Sequence, residues 1–148
     1  MGTINSLTSE RAAVVAAIDP ANNGAGATNT DEVDHSKFGS TQWTLMTGTM
    51  ASTSTLDFKL QSASSSGGSF SDITGKAITQ LTEAGSDDDK QVVINLRADE
   101  LTAGDRYVRG VMTIAAAASW SSVVALGFDA RYAPASDNDL SSVDEIVN

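Results

Sequence analysis

Residues 56–73 read LDFKLQSASSSGGSFSDI, an alternating segment that meets a turn rich in serine and glycine and then resumes. Leu56, Phe58 and Leu60 fall on one side of an extended chain with polar residues between them, which is the period of a half-buried strand. A phosphate-binding loop would place a helix after its glycines, whereas here a strand-like segment with Ile73 follows. The stretch therefore predicts two strands joined by a hairpin loop.

The same alternation recurs along the chain, at the spacing of roughly ten residues that is typical of β-sandwiches. The further strand-like segments are residues 11–18, 38–47, 76–81, 91–97, 106–118 and 121–132. For residues 11–18 the alanine content also allows a short helix, and the valines and isoleucine favour the strand. In the last of them, Val124, Leu126 and Phe128 are predicted to face inward. No long helical period interrupts the series, so we predict an all-β fold, an antiparallel β-sandwich with jelly-roll-like wiring and extended arms.

A single domain accounts for most of the chain, with an arm or tail at each end. We predict an N-terminal arm at 1–9, the sandwich at 10–134 and an acidic tail at 135–148, the tail being mobile or ordered only against a neighbouring molecule. The polar residues 21–37 are interpreted as a long surface loop. The predicted core consists of Trp43, Leu45, Leu56, Phe58, Leu60, Ile94, Val108, Leu126 and Phe128.

Composition excludes several classes of protein. The formal net charge of −10 repels phosphate backbones and anionic lipid surfaces, so we expect no direct nucleic-acid partner and no membrane partner. No apolar run approaches the roughly 18 residues that a membrane-spanning helix needs. With no cysteine, the chain has neither a disulfide framework nor a thiolate metal site.

Residues suited to catalysis are few. His35 is the only histidine, and its place beside Asp34 in a polar segment predicts an exposed imidazole. Acidic residues at 31–34 and 87–89 could supply oxygen ligands to calcium, but neither group has the spacing of a calcium-binding loop. We therefore predict that the protein is not an enzyme and needs no cofactor or metal.

Four segments, in this order, resemble a group of small structural proteins of tailed bacteriophages that are encoded beside the capsid genes. They read DHSKFGSTQWTLMTGTM, LDFKLQSASSSGGSFSDI, INLRADEL and RYVRGVMTI, and they lie between residues 31 and 132. The resemblance implies a capsid decoration, or cement, protein with a jelly-roll fold. It also implies a virion location on the capsid exterior.

Two partners follow from that resemblance, the major capsid protein and further copies of this chain in a homotrimer. Both terminal segments are rich in small and polar residues, which suit shallow contacts on a neighbouring subunit. The candidate residues for capsid or subunit contacts are Thr3, Ile4, Asn5, Leu7, Leu140, Val143 and Ile146.

A carbohydrate-binding β-sandwich is the alternative. The segment QSASSSGGSFSDI followed by RYVR resembles the strand pair of discoidin-type sugar-binding modules, which would imply a role in host attachment. Phe70 stands where that hairpin carries a tryptophan, and paired cysteines are absent. Aromatic residues make up only 5% of the chain, which leaves few rings for stacking on sugars.

Overall fold

The computed structural model describes residues 5–148, which form ten strands and one short helix. In chain order these are α1 (Thr8–Arg11), β1 (Ala12–Asn23), β2 (Gly26–Asn29), β3 (Val33–Asp34), β4 (Phe38–Met50), β5 (Thr55–Ala63), β6 (Ser71–Ala77), β7 (Leu81–Thr82), β8 (Gln91–Arg97), β9 (Tyr107–Ala115) and β10 (Ser119–Ala130). Single turns of 3₁₀ helix lie at His35–Lys37, Glu83–Gly85, Ala98–Glu100 and Ala135–Asn138.

The strands form two antiparallel sheets that pack as a β-sandwich. Sheet A has the order β1-β10-β4-β8, and sheet B has the order β2-β9-β5-β6, with β3 paired to β9 and β7 to β5. β2 and β3 can be counted as one interrupted strand, and so can β6 and β7, which leaves eight strands. The strand pairs are then nested in the sequence: the outermost pair joins the first strand to the last, and the innermost pair joins the fourth to the fifth. This is a long hairpin rolled up on itself, the jelly-roll wiring that the sequence predicts.

The core lies between the sheets and is formed by alternate side chains of both. Trp43, Leu45 and Leu96 of sheet A and Leu56 and Leu60 of sheet B are fully buried. Phe58, Ile94 and Val108 are also buried, which confirms seven of the nine predicted core positions.

The inward face of β10 was predicted wrongly. Val123 and Ala125 are buried, while Leu126 and Phe128 are only half-buried and point away from the core. Gly127 faces inward as well, and the Phe38 ring fills the space beside it. A Cβ at residue 127 would come within 2.7 Å of that ring, so the position favours glycine. The larger residues of β10 therefore lie on the outer surface of sheet A.

The predicted surface loop at residues 21–37 is mostly strand. β1 runs through Pro20 to Asn23 across a register shift, and β2 and β3 then pair with β9. Period-2 alternation is weak here because all four residues of β2 are exposed on an edge strand.

The start of the C-terminal tail is ordered against its own chain, contrary to the prediction. Ala135 is fully buried, the Val14 N–H donates to Asp139 Oδ1 at 2.7 Å, and the Leu140 N–H donates to the Val14 carbonyl at 2.8 Å. These bonds cover part of the free edge of β1. An edge strand covered in this way is a poor template for pairing with another molecule.

Candidate interaction surface

The outer side of sheet A carries a surface that we call the uncharged face. Its members have neutral side chains that alternate with buried residues along four strands, and the exposed Arg97, which continues the alternation of β8 opposite Ser40, marks one end of the face. They are Ala12 and Val14 on β1, Trp120, Ser122, Val124, Leu126 and Phe128 on β10, Ser40, Gln42, Thr44 and Met46 on β4, and Gln91, Val93 and Asn95 on β8.

Strand register sets these side chains in rows across the sheet. Leu126 lies opposite Gln42, which lies opposite Asn95, and the next row runs from Val124 through Thr44 to Val93. Directly opposed residues have Cβ atoms about 5 Å apart, so each row is a continuous strip.

Three large apolar side chains stand out on this face. Met46 is 46% exposed, and Val93 and Trp120 are each 51% exposed. None of the three is among the contact residues predicted from the sequence. The available signal was an apolar residue on the polar side of an alternating strand, as Met46 is in β4 and Val93 in β8.

A groove of about 410 Å³ crosses one end of the uncharged face. The side chains of Gln42 and Asn95 line it, and neither amide is hydrogen-bonded to another described residue. Arg97 and Asp129 bound the groove, and Arg97 is ion-paired with Asp99 at 2.9 Å. The groove offers donors and acceptors that no other described group uses.

The outer side of sheet B is different, and we call it the polar face. It consists of Asp57, Lys59 and Gln61 on β5, Arg109 on β9, Asp72 on β6 and the adjoining Phe70 and Gln80. Its charged groups bond to one another. The Lys59 ammonium and the Gln61 amide both donate to Asp72, at 2.8 Å each.

Arg109 completes this network. Its guanidinium donates twice to Gln61 Oε1, at 3.1 and 2.9 Å, and lies 4.2 Å from the centroid of the Phe70 ring. The Gln80 amide donates to Asp57 at 2.7 Å. The polar face therefore satisfies its own charges and amides.

His35 is buried, contrary to the prediction that it is exposed. It is 4% exposed, and its Nε2 lies within hydrogen-bonding distance of Thr41 Oγ1, at 2.9 Å; Trp43 Nε1 donates to the same oxygen at 2.8 Å. Burial lowers the pKa of His35 to about 4, although the neighbouring Asp34 carboxylate opposes this shift. The imidazole is therefore neutral and packed inside the protein, and its Nδ1 has no hydrogen-bond partner among the described residues. Because the ring is buried, it is not placed to exchange protons with a substrate.

The acidic residues at 31–34 diverge in the structure. Asp31 accepts from the Ala17 N–H, Glu32 accepts from Ser66 and the Gly67 N–H, and Asp34 pairs with Arg106. The hydrogen bonds from Arg106 hold the pKa of Asp34 well below its usual range.

The acidic residues at 87–89 also serve local structure. Asp87 Oδ2 accepts from the Thr82 N–H at 2.9 Å and Asp88 Oδ1 from the Met50 N–H at 2.7 Å. Among residues 5–148 no three His, Asp or Glu side chains converge as a metal site would require.

The predicted contact residues fall into three groups. Thr3 and Ile4 lie outside the described residues. Leu7 and Ile146 are 46% and 43% exposed, and Asn5 is exposed as well. Leu140 and Val143 are half-buried, and the Val143 N–H donates to the Leu140 carbonyl at 3.0 Å.

Comparisons of the chain with protein-family models, with curated proteins and with solved structures gave no match. Within residues 5–148, no helix has the length and apolar character required to span a bilayer.

Proposed function

We propose that this chain is a capsid decoration protein, which binds the outer surface of a tailed-bacteriophage shell and stabilises it by bridging major capsid protein subunits. The observation that carries the proposal is the uncharged face of sheet A. Charged residues make up 19% of the chain, and yet the rows from Leu126 to Asn95 and from Val124 to Val93 contain none.

A face of this composition suits binding to another protein. Charged residues are depleted at the centres of protein interfaces, and tryptophan and methionine are enriched there. Trp120 and Met46 are accordingly the expected anchors, and the free amides of Gln42 and Asn95 would pair with backbone groups of the partner. Contiguous exposed apolar surface on a soluble protein commonly marks such a site.

The choice of a capsid as the partner rests on the sequence resemblance. The four resembling segments cover β4, most of β5 and β9 and the second half of β8, and so contribute strands to both sheets. On a symmetric shell one modest contact is repeated many times, so a single face without a deep pocket suffices. The homotrimer belongs to the same proposal, with the exposed Leu7 and Ile146 as its candidate contacts.

Co-expression with the major capsid protein of the same genome tests the proposal. We expect this chain to sediment with the assembled shells and to raise the temperature at which they open. The variant Trp120→Ala with Met46→Ala should remain folded and stay in the supernatant. Tyr132→Ala is the matched control, because it removes an exposed ring that is not part of the uncharged face. Absence of the unmodified chain from the shells would refute the proposal.

Carbohydrate binding is the second candidate, and exposed aromatic rings favour it. Trp120 is 51% exposed and Tyr132 is 77% exposed, so two rings are free to stack on sugars. A glycan array probed with shell-free protein separates the candidates. A glycan signal that disappears in Trp120→Ala, together with no shell binding, would favour this function over capsid decoration.

A further inference from the structure

We propose that a pocket at one end of the sandwich binds an acidic saccharide, a sugar that carries a carboxylate. The pocket has a volume of about 260 Å³ and lies where β10 ends, beside the 3₁₀ turn His35–Lys37 that precedes β4 and the 3₁₀ turn Ala135–Asn138 that follows β10. It is lined by Ser36, Lys37, Arg131, Tyr132, Asp137 and Asn138. The inference is independent of the capsid proposal.

Two cations without an ionic partner supply the attraction for a carboxylate. Four of the nine Lys and Arg side chains are ion-paired, but Lys37 and Arg131 have no such partner among the described residues. The Arg131 N–H donates to the Lys37 carbonyl at 2.8 Å, which keeps the two residues adjacent. Because that bond places residues 37 and 131 next to each other in the lining of the pocket, a carboxylate bound between them can accept charged hydrogen bonds from both side chains.

The backbone of the pocket is held in place before any ligand arrives. Lys37 ends a 3₁₀ turn that begins at the buried His35. Asp137 and Asn138 belong to a second turn, which the buried Ala135 anchors and in which the Asn138 amide donates to the Ala135 carbonyl at 3.4 Å. A preformed site loses little conformational entropy when the ligand binds.

The remaining lining residues favour a sugar over a simple anion. The Tyr132 ring is 77% exposed, and the Arg131 guanidinium lies over it at 5.9 Å from the ring centroid, so the opposite side of the ring is the one that can stack on the apolar side of a pyranose. The Asp137 carboxylate would repel sulfate, whereas it would accept hydrogen bonds from sugar hydroxyls. Ser36 and Asn138 add a hydroxyl and an amide of the kind that fixes hydroxyl groups. Since the net charge of −10 opposes anions at long range, the affinity has to come from the pocket itself.

Nuclear magnetic resonance titration of ¹⁵N-labelled protein tests the assignment, with glucuronate, glucose and sulfate as the three probes. We expect glucuronate to shift the amides of residues 36–37 and 131–138, and glucose to shift them much less. Arg131→Gln should weaken glucuronate binding about tenfold, the usual effect of losing a charged hydrogen-bond partner. Lys90→Gln is the control, because Lys90 is exposed at the other end of the sandwich and forms no ion pair with any residue of 5–148.

Asp137→Ala gives results of opposite sign for a sugar site and for an anion site. It should weaken glucuronate binding, because hydroxyl contacts are lost, and strengthen sulfate binding, because a repelling charge is removed. Equal strengthening for both probes, with no effect of Tyr132→Ala, would reduce the pocket to a general anion site and overturn the proposal. Absence of glucuronate shifts in the unmodified protein would overturn it as well.

Discussion

The outer surfaces of the two sheets differ in how their polar groups are used. On the polar face of sheet B, Lys59, Gln61, Asp72 and Arg109 form one bonded network. On the uncharged face of sheet A, side-chain amides such as that of Asn95 are bonded to no other described residue, and apolar side chains lie between them. Both faces come from the same strand alternation, so alternation alone does not distinguish a solvated face from a binding face.

The difference has an energetic consequence for association. A partner that covers the polar face must strip water from paired charges, and their mutual attraction does not always compensate for that cost. A partner that covers the uncharged face removes apolar surface from water, which is favourable in proportion to its area. If a partner docks as proposed, desolvation therefore favours sheet A over sheet B.

The largest effect tests which side of sheet A faces the core. Phe58→Ala should cost about 3 to 5 kcal/mol of unfolding free energy, since it empties a buried site between the sheets. Phe128→Ala should cost about 1 kcal/mol, because its half-buried ring lies on the outer face. Urea denaturation of both variants measures the difference. Equal costs would mean that Phe128 lies in the core and that the uncharged face is misplaced.

The sequence alone predicts most of the fold, but for β10 it predicts that the wrong residues face the core. The reason is physical. Where one side of a strand is polar, as in β5, alternation identifies the core, and Leu56, Phe58 and Leu60 are all buried as predicted. In β10 both sides are apolar, and the larger residues, Leu126 and Phe128, lie outside. The rule that large apolar residues face the core fails for β10, because its large apolar residues lie on the uncharged face. The prediction is therefore wrong at the candidate site itself.

His35 and the C-terminal tail escaped prediction for a different reason. His35 is buried with its Nε2 beside Thr41 Oγ1, the oxygen that also bonds Trp43 Nε1, and such tertiary contacts leave no local pattern. The tail contacts Val14 on β1, 125 residues from Asp139. Neither the composition of a segment nor its periodicity reports such distant partners.

The next prediction tests whether His35, at the inner side of sheet A, is shielded from water. Its pKa is lowered from 6.5 to about 4, so the neutral ring contributes stability that is present above pH 6.5 and is lost as the pH falls toward 4. The loss should reach about 3 kcal/mol, because the unfolded chain binds a proton near pH 6.5 while burial keeps the folded imidazole neutral down to about pH 4. Urea midpoints between pH 7 and 4.5 follow it.

His35→Gln is the control for this pH dependence, since it keeps a polar group near Thr41 and does not titrate. Asp34 does not interfere in this range, because the contribution of a carboxyl with a lowered pKa is lost only below its unfolded value of 3.8. An identical slope in the variant and the unmodified protein would show that His35 is open to water.

A smaller effect compares the two faces directly by placing one lysine on each. Val93→Lys should weaken shell binding by about 2 kcal/mol, roughly thirtyfold, because the ammonium must lose water in the centre of the interface. Thr113→Lys on β9 places the same charge on the outer side of sheet B, opposite Asp57. It should leave binding unchanged. Sedimentation with shells measures both variants, and equal weakening would remove the distinction between the faces.

The smallest effect truncates one polar side chain on each face and measures stability instead of binding. Arg109→Ala should cost about 1 kcal/mol, because it removes two hydrogen bonds to Gln61 and the stacking on Phe70. Arg109→Lys should recover only part of that cost, since an ammonium cannot reproduce the planar fork. Asn95→Ala should leave the urea midpoint unchanged, because its amide is bonded to no other described group and the bond from Lys76 goes to its backbone carbonyl. A cost for Asn95→Ala equal to that for Arg109→Ala would mean that the amide already has a partner within the fold, and the uncharged face would then have no spare hydrogen-bonding groups to offer a partner.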